Sequence, residues 1–145
     1  MVPIRRVGLN DPMDLTKALH DAMSLCATLD MRAVQWSPEV VELELDWDES
    51  RLTTGGGMHG GALMALADSA GAVVAFSNLP EGAVGTSTIE SKTNFFRAVR
   101  SGTVRAVSTP LHIGRTTIVV DTELRDDAGK LVARVTQTQI VLMPS

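Results

Sequence analysis

One carboxylate stands in the middle of a stretch with almost no polar face. Residues 59–76 read HGGALMALADSAGAVVAF, and Asp68 is the one acid among them. A helix that is apolar all round is normally buried, so the acid needs a reason. A structural carboxylate would be bonded to backbone amides or paired with a base. A carboxylate partly desolvated in a cleft would serve as a general base or a nucleophile. Met64, Ala65, Gly71 and Ala72, three and four positions away on either side, carry no charge. The partner of Asp68 therefore comes from another element or from solvent.

The second chemical feature lies just upstream. Gly55-Gly56-Gly57-Met58-His59-Gly60-Gly61 forms a flexible loop, poor in side chains, that runs into the start of the helix. The first N–H groups of a helix are unpaired and its dipole is positive there. Glycine lets a ligand approach that backbone, so the position suits a phosphate or a developing oxyanion. The plainer alternative is a glycine-rich turn. No Gly-Lys-Ser/Thr follows, so it is not a P-loop.

Asp68 lies eight residues after Gly60, about 12 Å along a helix axis. Acyl chemistry needs the carboxylate and the oxyanion donor within about 3 Å of one carbonyl. Either the two features are unrelated, or a second copy of the chain supplies one of them. A two-fold dimer with antiparallel helices brings one Asp68 to the other chain's Gly60.

Other chemistries are disfavoured. His20, His59 and His112 have no metal-ligand spacing with each other or with acids. No serine sits in a G-x-S-x-G elbow. Cys26, the lone cysteine, falls in an expected helix without a C-G or C-H motif and reads as a core residue.

The elements that must position Asp68 follow from periodicity. Asp11-Pro12 is a helix start, and Leu15, Leu19, Ala22, Met23 and Cys26 continue one amphipathic helix to about Leu29. Val41, Leu43, Leu45 and Trp47 alternate with Glu42, Glu44 and Asp46, a half-buried strand. The long apolar helix ends near Asn78-Leu79-Pro80. Four strands are expected after it: Thr86–Val99, Thr103–Leu111, Thr116–Leu124 and Leu131–Leu142. Short turns make antiparallel neighbours, so these four read as a meander. The expected class is α+β, a curved antiparallel sheet wrapped around one long central helix.

The 145 residues fit one domain, 1–145, with a loose arm over residues 1–11. A hydrophobic share of 44% suffices for a core. The net charge of −4 offers no cationic surplus for nucleic acid or an anionic membrane. MVPIRRVGLNDPMDL lacks a signal-peptide apolar region, and a single cysteine fits a reducing compartment. A cytoplasmic protein without nucleic-acid or membrane partners is expected.

GGGMHGGALMALADSAGAVVAF, then TSTIESKTNFFRAVRSGTVRAVSTPLHIGRTTIVVDTELRDDAGKLVARVTQTQIVL, resembles the hotdog-fold acyl-CoA thioesterases of the phenylacetate-pathway (PaaI) type. The resemblance spans about residues 13–143. It rests on His-Gly-Gly with an Asp nine residues after the His, on NFFRAV, and on the Asp-Ala-Gly-Lys-Leu-Val-Ala tail. It implies dimers that pair into tetramers, with each active site shared between two chains. It implies an acyl-CoA substrate and no separate cofactor, since CoA is part of the substrate. No metal is implied.

Residue by residue, the resemblance makes Asp68 the catalytic carboxylate and Gly60 the N–H that polarises the thioester carbonyl. Gly61 follows it in the binding loop. His59 is the motif histidine that holds thioester and loop. Thr88 matches a Ser/Thr that places the water or the carboxylate, with Thr86 and Ser87 as alternatives. Relatives often carry Asn five or six residues before the His, where this chain has Thr54 and Thr53. Ala98 stands where relatives often have Pro. Arg97, Arg100 and Arg115 match positions that meet the nucleotide of CoA. The expected activity is hydrolysis of an acyl-CoA. A non-catalytic acyl-CoA binder and an enoyl-thioester hydratase are the competing readings. The acyl group stays open among medium-chain, aryl and hydroxyaryl thioesters.

Overall fold

The computed structural model describes residues 11–145. The expected arm over residues 1–11 lies outside them, apart from Asp11. That residue caps the first helix: its carboxylate accepts the Met13 N–H at 2.9 Å, with Pro12 in the first turn. In chain order the elements are α1 (Pro12–Ala22), α2 (Ser24–Thr28), β1 (Arg32–Trp36), β2 (Val41–Asp46), a 3₁₀ turn (Glu49–Arg51), α3 (Gly60–Ser77), β3 (Gly85–Phe95), β4 (Thr103–Ile113), β5 (Thr117–Arg125) and β6 (Leu131–Leu142).

The six strands form one antiparallel sheet in the order β1-β2-β4-β5-β6-β3. The sheet wraps α3, which packs on β2, β3, β4, β5 and β6, while α1 lies on β1. Alternation explains the core. Val41, Leu43 and Leu45 of β2 point inward and are fully buried, as are Leu66 and Val74 of α3, Ile118 and Leu124. Each such side chain contributes about 1.5–3 kcal/mol on burial.

Several expectations need correction. The helix expected over residues 12–29 breaks at Met23, whose backbone is extended. Beyond the break, Cys26 enters the core and its carbonyl accepts the Met31 N–H, which starts β1. β1 itself was not expected. It is five residues long and bulged between Ala33 and Gln35, so it never completes a two-residue alternation. Trp47 leaves β2 rather than extending it, and its indole donates to the Gly56 carbonyl at 3.2 Å.

The largest correction concerns the meander. β3 ends at Phe95, not Val99, and pairs with β6 at the far edge, whereas β4 pairs with β2. Residues 96–102 are thus a crossover. The Phe96 N–H bonds Val132 O and the Val99 carbonyl accepts the Met58 N–H at 2.8 Å. A connection of that length is free to join non-neighbours. Hairpins join β1 to β2, β4 to β5 and β5 to β6.

α3 is not buried all round. Leu63, Leu66, Ala67, Ala70 and Val74 face the sheet. Gly61, Met64, Asp68 and Ala72, at three- and four-residue spacing, are exposed or half-buried and form an open stripe. By length and composition α3 suffices to cross a membrane, with a mean hydropathy of 1.4, yet half of it is buried inside this fold.

Candidate active site

The glycine loop is tied down, contrary to the expectation of flexibility. Gly55 and Gly56 have φ of +86° and +79°, which side chains rarely adopt. Thr53 N–H donates to Gly57 O at 2.9 Å, and Gly56 N–H to Thr53 O at 3.2 Å. Met58 and His59 hang from Val99 O and Arg51 O, both at 2.8 Å. Arg100 Nη1 donates to the Gly55 carbonyl, which places this arginine beside the loop. Thr53 and Thr54 are exposed.

His59 is the N-cap of α3. Its Nδ1 accepts the Gly61 N–H at 2.7 Å. In the neutral ring the proton then sits on Nε2. A Cβ on residue 61 would come within 2.9 Å of that nitrogen, so glycine there is what admits the cap. The Gly61 N–H is thereby engaged. The Gly60 N–H, on a half-buried residue, bonds no acceptor among the described residues and is the unengaged donor at the helix N-terminus. The ring of Phe95, half-exposed on β3, lies against Gly60: a Cβ on residue 60 would meet its Cζ at 3.1 Å.

Asp68 meets the other end of β3. Its Oδ1 accepts the Thr88 hydroxyl at 2.9 Å and the Gln137 Nε2–H at 3.3 Å. The Thr88 oxygen in turn accepts from Gln139 Nε2 at 2.6 Å. Thr86 donates to Gln139 Oε1 at 3.1 Å and to Ile140 O at 2.9 Å, and Ser87 is exposed. Of the three hydroxyls considered, Thr88 reaches the carboxylate. A β-bulge between Thr88 and Glu90 ends this run of pairing.

Gln137 and Gln139 are fully buried on β6. Sequence reasoning missed both, although QTQ with its two amides on the inward side of a strand was visible. Gln137 Oε1 is buried without a partner among the described residues, an arrangement that costs about 1–3 kcal/mol. Gly71 makes room for the amide, since a Cβ there would lie 2.5 Å from its Cδ.

Asp68 and Gly60 remain about 12 Å apart along α3, with Thr88 at one end of the gap and Phe95 at the other. One chain does not bring them together. The arginines do not converge either. Arg97 sits where its N–H bonds Val132 O, and Arg115 precedes Thr116, whose carbonyl accepts the Val141 N–H. Those ends of β6 are about 30 Å apart. Cys26 is buried against Ser69, and burial pushes its thiol pKa up, against a nucleophilic role. Among the described residues no group of three His, Cys, Asp or Glu side chains is placed to hold a metal.

Residues 55–133 match the model of the thioesterase superfamily. A Deinococcus radiodurans protein that carries the name of a candidate esterase is 37% identical over 78% of this chain and 75% of its own length. The 1,4-dihydroxy-2-naphthoyl-CoA hydrolase of Escherichia coli is 32% identical over 79% of this chain and 83% of its own. A thioesterase structure from Pseudomonas aeruginosa superposes with a TM-score of 0.83 at 28% identity, covering 95% of this chain and 96% of that one. The architecture, one long helix wrapped by a curved antiparallel sheet, is the hotdog fold.

Proposed function

The chain belongs to the thioesterase superfamily, and from that premise we propose that it hydrolyses an acyl-CoA to a carboxylate and free CoA. The observation that carries this reading is the Asp68 carboxylate on the open stripe of α3. Two donors hold its Oδ1, and Oδ2 has no donor among the described residues. A carboxylate held by one oxygen keeps the other for water or for a carbonyl carbon.

In the proposed reaction the thioester carbonyl accepts the Gly60 N–H, backed by the dipole of α3. Asp68 takes a proton from water, which adds to the carbonyl, or adds to it directly and is then released by water. Collapse of the tetrahedral species expels the CoA thiolate. The distance between Gly60 and Asp68 requires two chains. We place them in a homodimer with antiparallel central helices and two shared sites, with dimers pairing into a tetramer. Two features support this. β3 is an edge of the sheet, with Ile89 59% exposed, and exposed edges invite pairing. The stripe through Gly61, Met64, Asp68 and Ala72 is open on the same side of the core as the β3 contact.

Phe95 would offer the acyl group an aromatic wall beside Gly60. Arg100, and Arg97 nearby in sequence, would meet CoA phosphates, whereas Arg115 enters only through a site built from two chains. The E. coli relative makes hydroxyaryl-CoA thioesters the first substrates to try. CoA enters as substrate, and no further cofactor is part of this proposal. A reducing, cytoplasmic setting fits the lone buried Cys26.

The test is thiol release from a panel of medium-chain, aryl and hydroxyaryl CoA thioesters, with wild type and Asp68→Asn side by side. Release by the wild type that disappears in the variant supports the reading. No release, with CoA binding retained, would favour a non-catalytic acyl-CoA binder.

A further inference from the structure

We infer that Gln139 and Gln137 are positioning residues for the Asp68 carboxylate, an inference that rests on the reaction proposed above. The argument begins with one hydrogen. The Thr88 hydroxyl has a single proton and lies 2.9 Å from Asp68 Oδ1 and 2.6 Å from the Gln139 amide. If the amide presented its oxygen, two acceptors would face that one proton and one contact would be repulsive. With Nε2 toward Thr88, Gln139 donates to Thr88 and Thr88 donates to Asp68, and the one shared proton is moved to Thr86, which faces Ile140 O at 2.9 Å and Gln139 Oε1 at 3.1 Å, so the conflict falls on the longer contact and not on the 2.6 Å one. The amide at 139 therefore sets the direction in which Thr88 donates.

Gln137 acts on the same oxygen from the other side. Its Nε2 lies 3.3 Å from Asp68 Oδ1 and 3.5 Å from the Asp68 carbonyl. Turning this amide over would set its oxygen against a carboxylate. In its observed setting Oε1 has no partner among the described residues. A fully buried amide kept with an unsatisfied oxygen, and with Gly71 opposite to admit it, is a local conflict of the kind that marks functional sites. Gln137 directly, and Gln139 through the Thr88 hydroxyl, hold Oδ1 by two donors and aim the carboxylate. Both lie beyond the stretch matched to the family model, which ends at residue 133.

The test is steady-state kinetics on the acyl-CoA that the wild type turns over fastest, with Gln139→Met, Gln139→Glu, Thr88→Val and the double variant Thr88→Val/Gln139→Met. Gln139→Met should lower kcat by about 10- to 100-fold, the scale of one hydrogen bond to a charged group, with KM within about twofold. Gln139→Glu, which keeps the shape but draws the Thr88 proton to itself, should be at least as slow. Once Thr88 is Val, adding Gln139→Met should cost nothing more, because the path through the hydroxyl is already gone. A kcat for Gln139→Met within twofold of wild type overturns the inference alone, as do single effects that multiply in the double variant. Should Gln139→Met fail to fold, Gln139→Glu and Gly71→Ala, which displaces the Gln137 amide from behind, decide the matter by the same kcat loss. A wild type that releases no thiol from any thioester overturns this inference and the proposed reaction together.

Discussion

The Thr88 hydroxyl donates to Asp68 Oδ1 at 2.9 Å, joining the edge strand β3 to the middle of the central helix α3. The contact spans 20 residues of sequence. It answers the question of what partners an acid in an apolar helix: a hydroxyl and an amide, both neutral. No cation among the described residues is paired with Asp68, so its charge is oriented but not neutralised.

Replacing Asp68 by Asn should therefore leave the fold intact and remove the chemistry. The Asn carbonyl oxygen can still accept from Thr88 and Gln137, while its nitrogen is no base. Loss of a general base costs about 100- to 10,000-fold in rate. The check is kcat beside a thermal melt, and a variant with normal melting and normal turnover would sink the assignment.

His59 should be worth more to stability than an exposed residue usually is. Its Nδ1 caps the Gly61 N–H, so His59→Ala should destabilise the protein by about 1 kcal/mol. His59→Asn, which restores an acceptor of similar reach, should recover most of that loss. Denaturant unfolding of the three proteins measures it. Equal midpoints would mean that the cap carries no weight.

A charge on the open edge should separate association from folding. Ile89 projects from β3 and is 59% exposed. A lysine there blunts an edge strand, so Ile89→Lys should shift the protein toward monomer in sedimentation and keep its circular dichroism. Turnover should fall with the dimer fraction. A monomer with full activity would rule out a site shared between chains.

One pH effect is expected far from the site. Arg32 donates to both Asp46 oxygens, at 2.7 and 2.9 Å, and with Thr103 holds that carboxyl well down, at about 2 against the usual 3.8. A depressed carboxyl stabilises the fold above the unfolded value, and that contribution is lost as pH falls through the folded one. The pair is part-exposed, so the effect is small. The melting temperatures of wild type and Asp46→Asn should differ at pH 7 and converge toward about pH 2. A constant difference across that range would show that the ion pair is not its source.

The legible parts of this protein are those written in local periods. The apolar run after Gly60, the alternation of β2 and the Asp11-Pro12 start each declare themselves within a few residues. So does Asp68, because an acid breaks an apolar run visibly. β1 was illegible because a bulge interrupts its alternation, and the break at Met23 because neither Gly nor Pro marks it.

The sequence by itself determined that a long helix would carry one carboxylate past a glycine-rich N-terminus, since helix period and composition are properties of neighbours along the chain. Only the tertiary structure decided that β3 leaves its sequence neighbour β4 to pair with β6. That pairing sets Thr88 opposite Gln139 and turns Gln137 and Gln139 inward toward Asp68. Strand partners are chosen by burial and hydrogen-bond closure over the whole sheet. Contacts across 51 and 69 residues leave no periodic trace in the segments that make them.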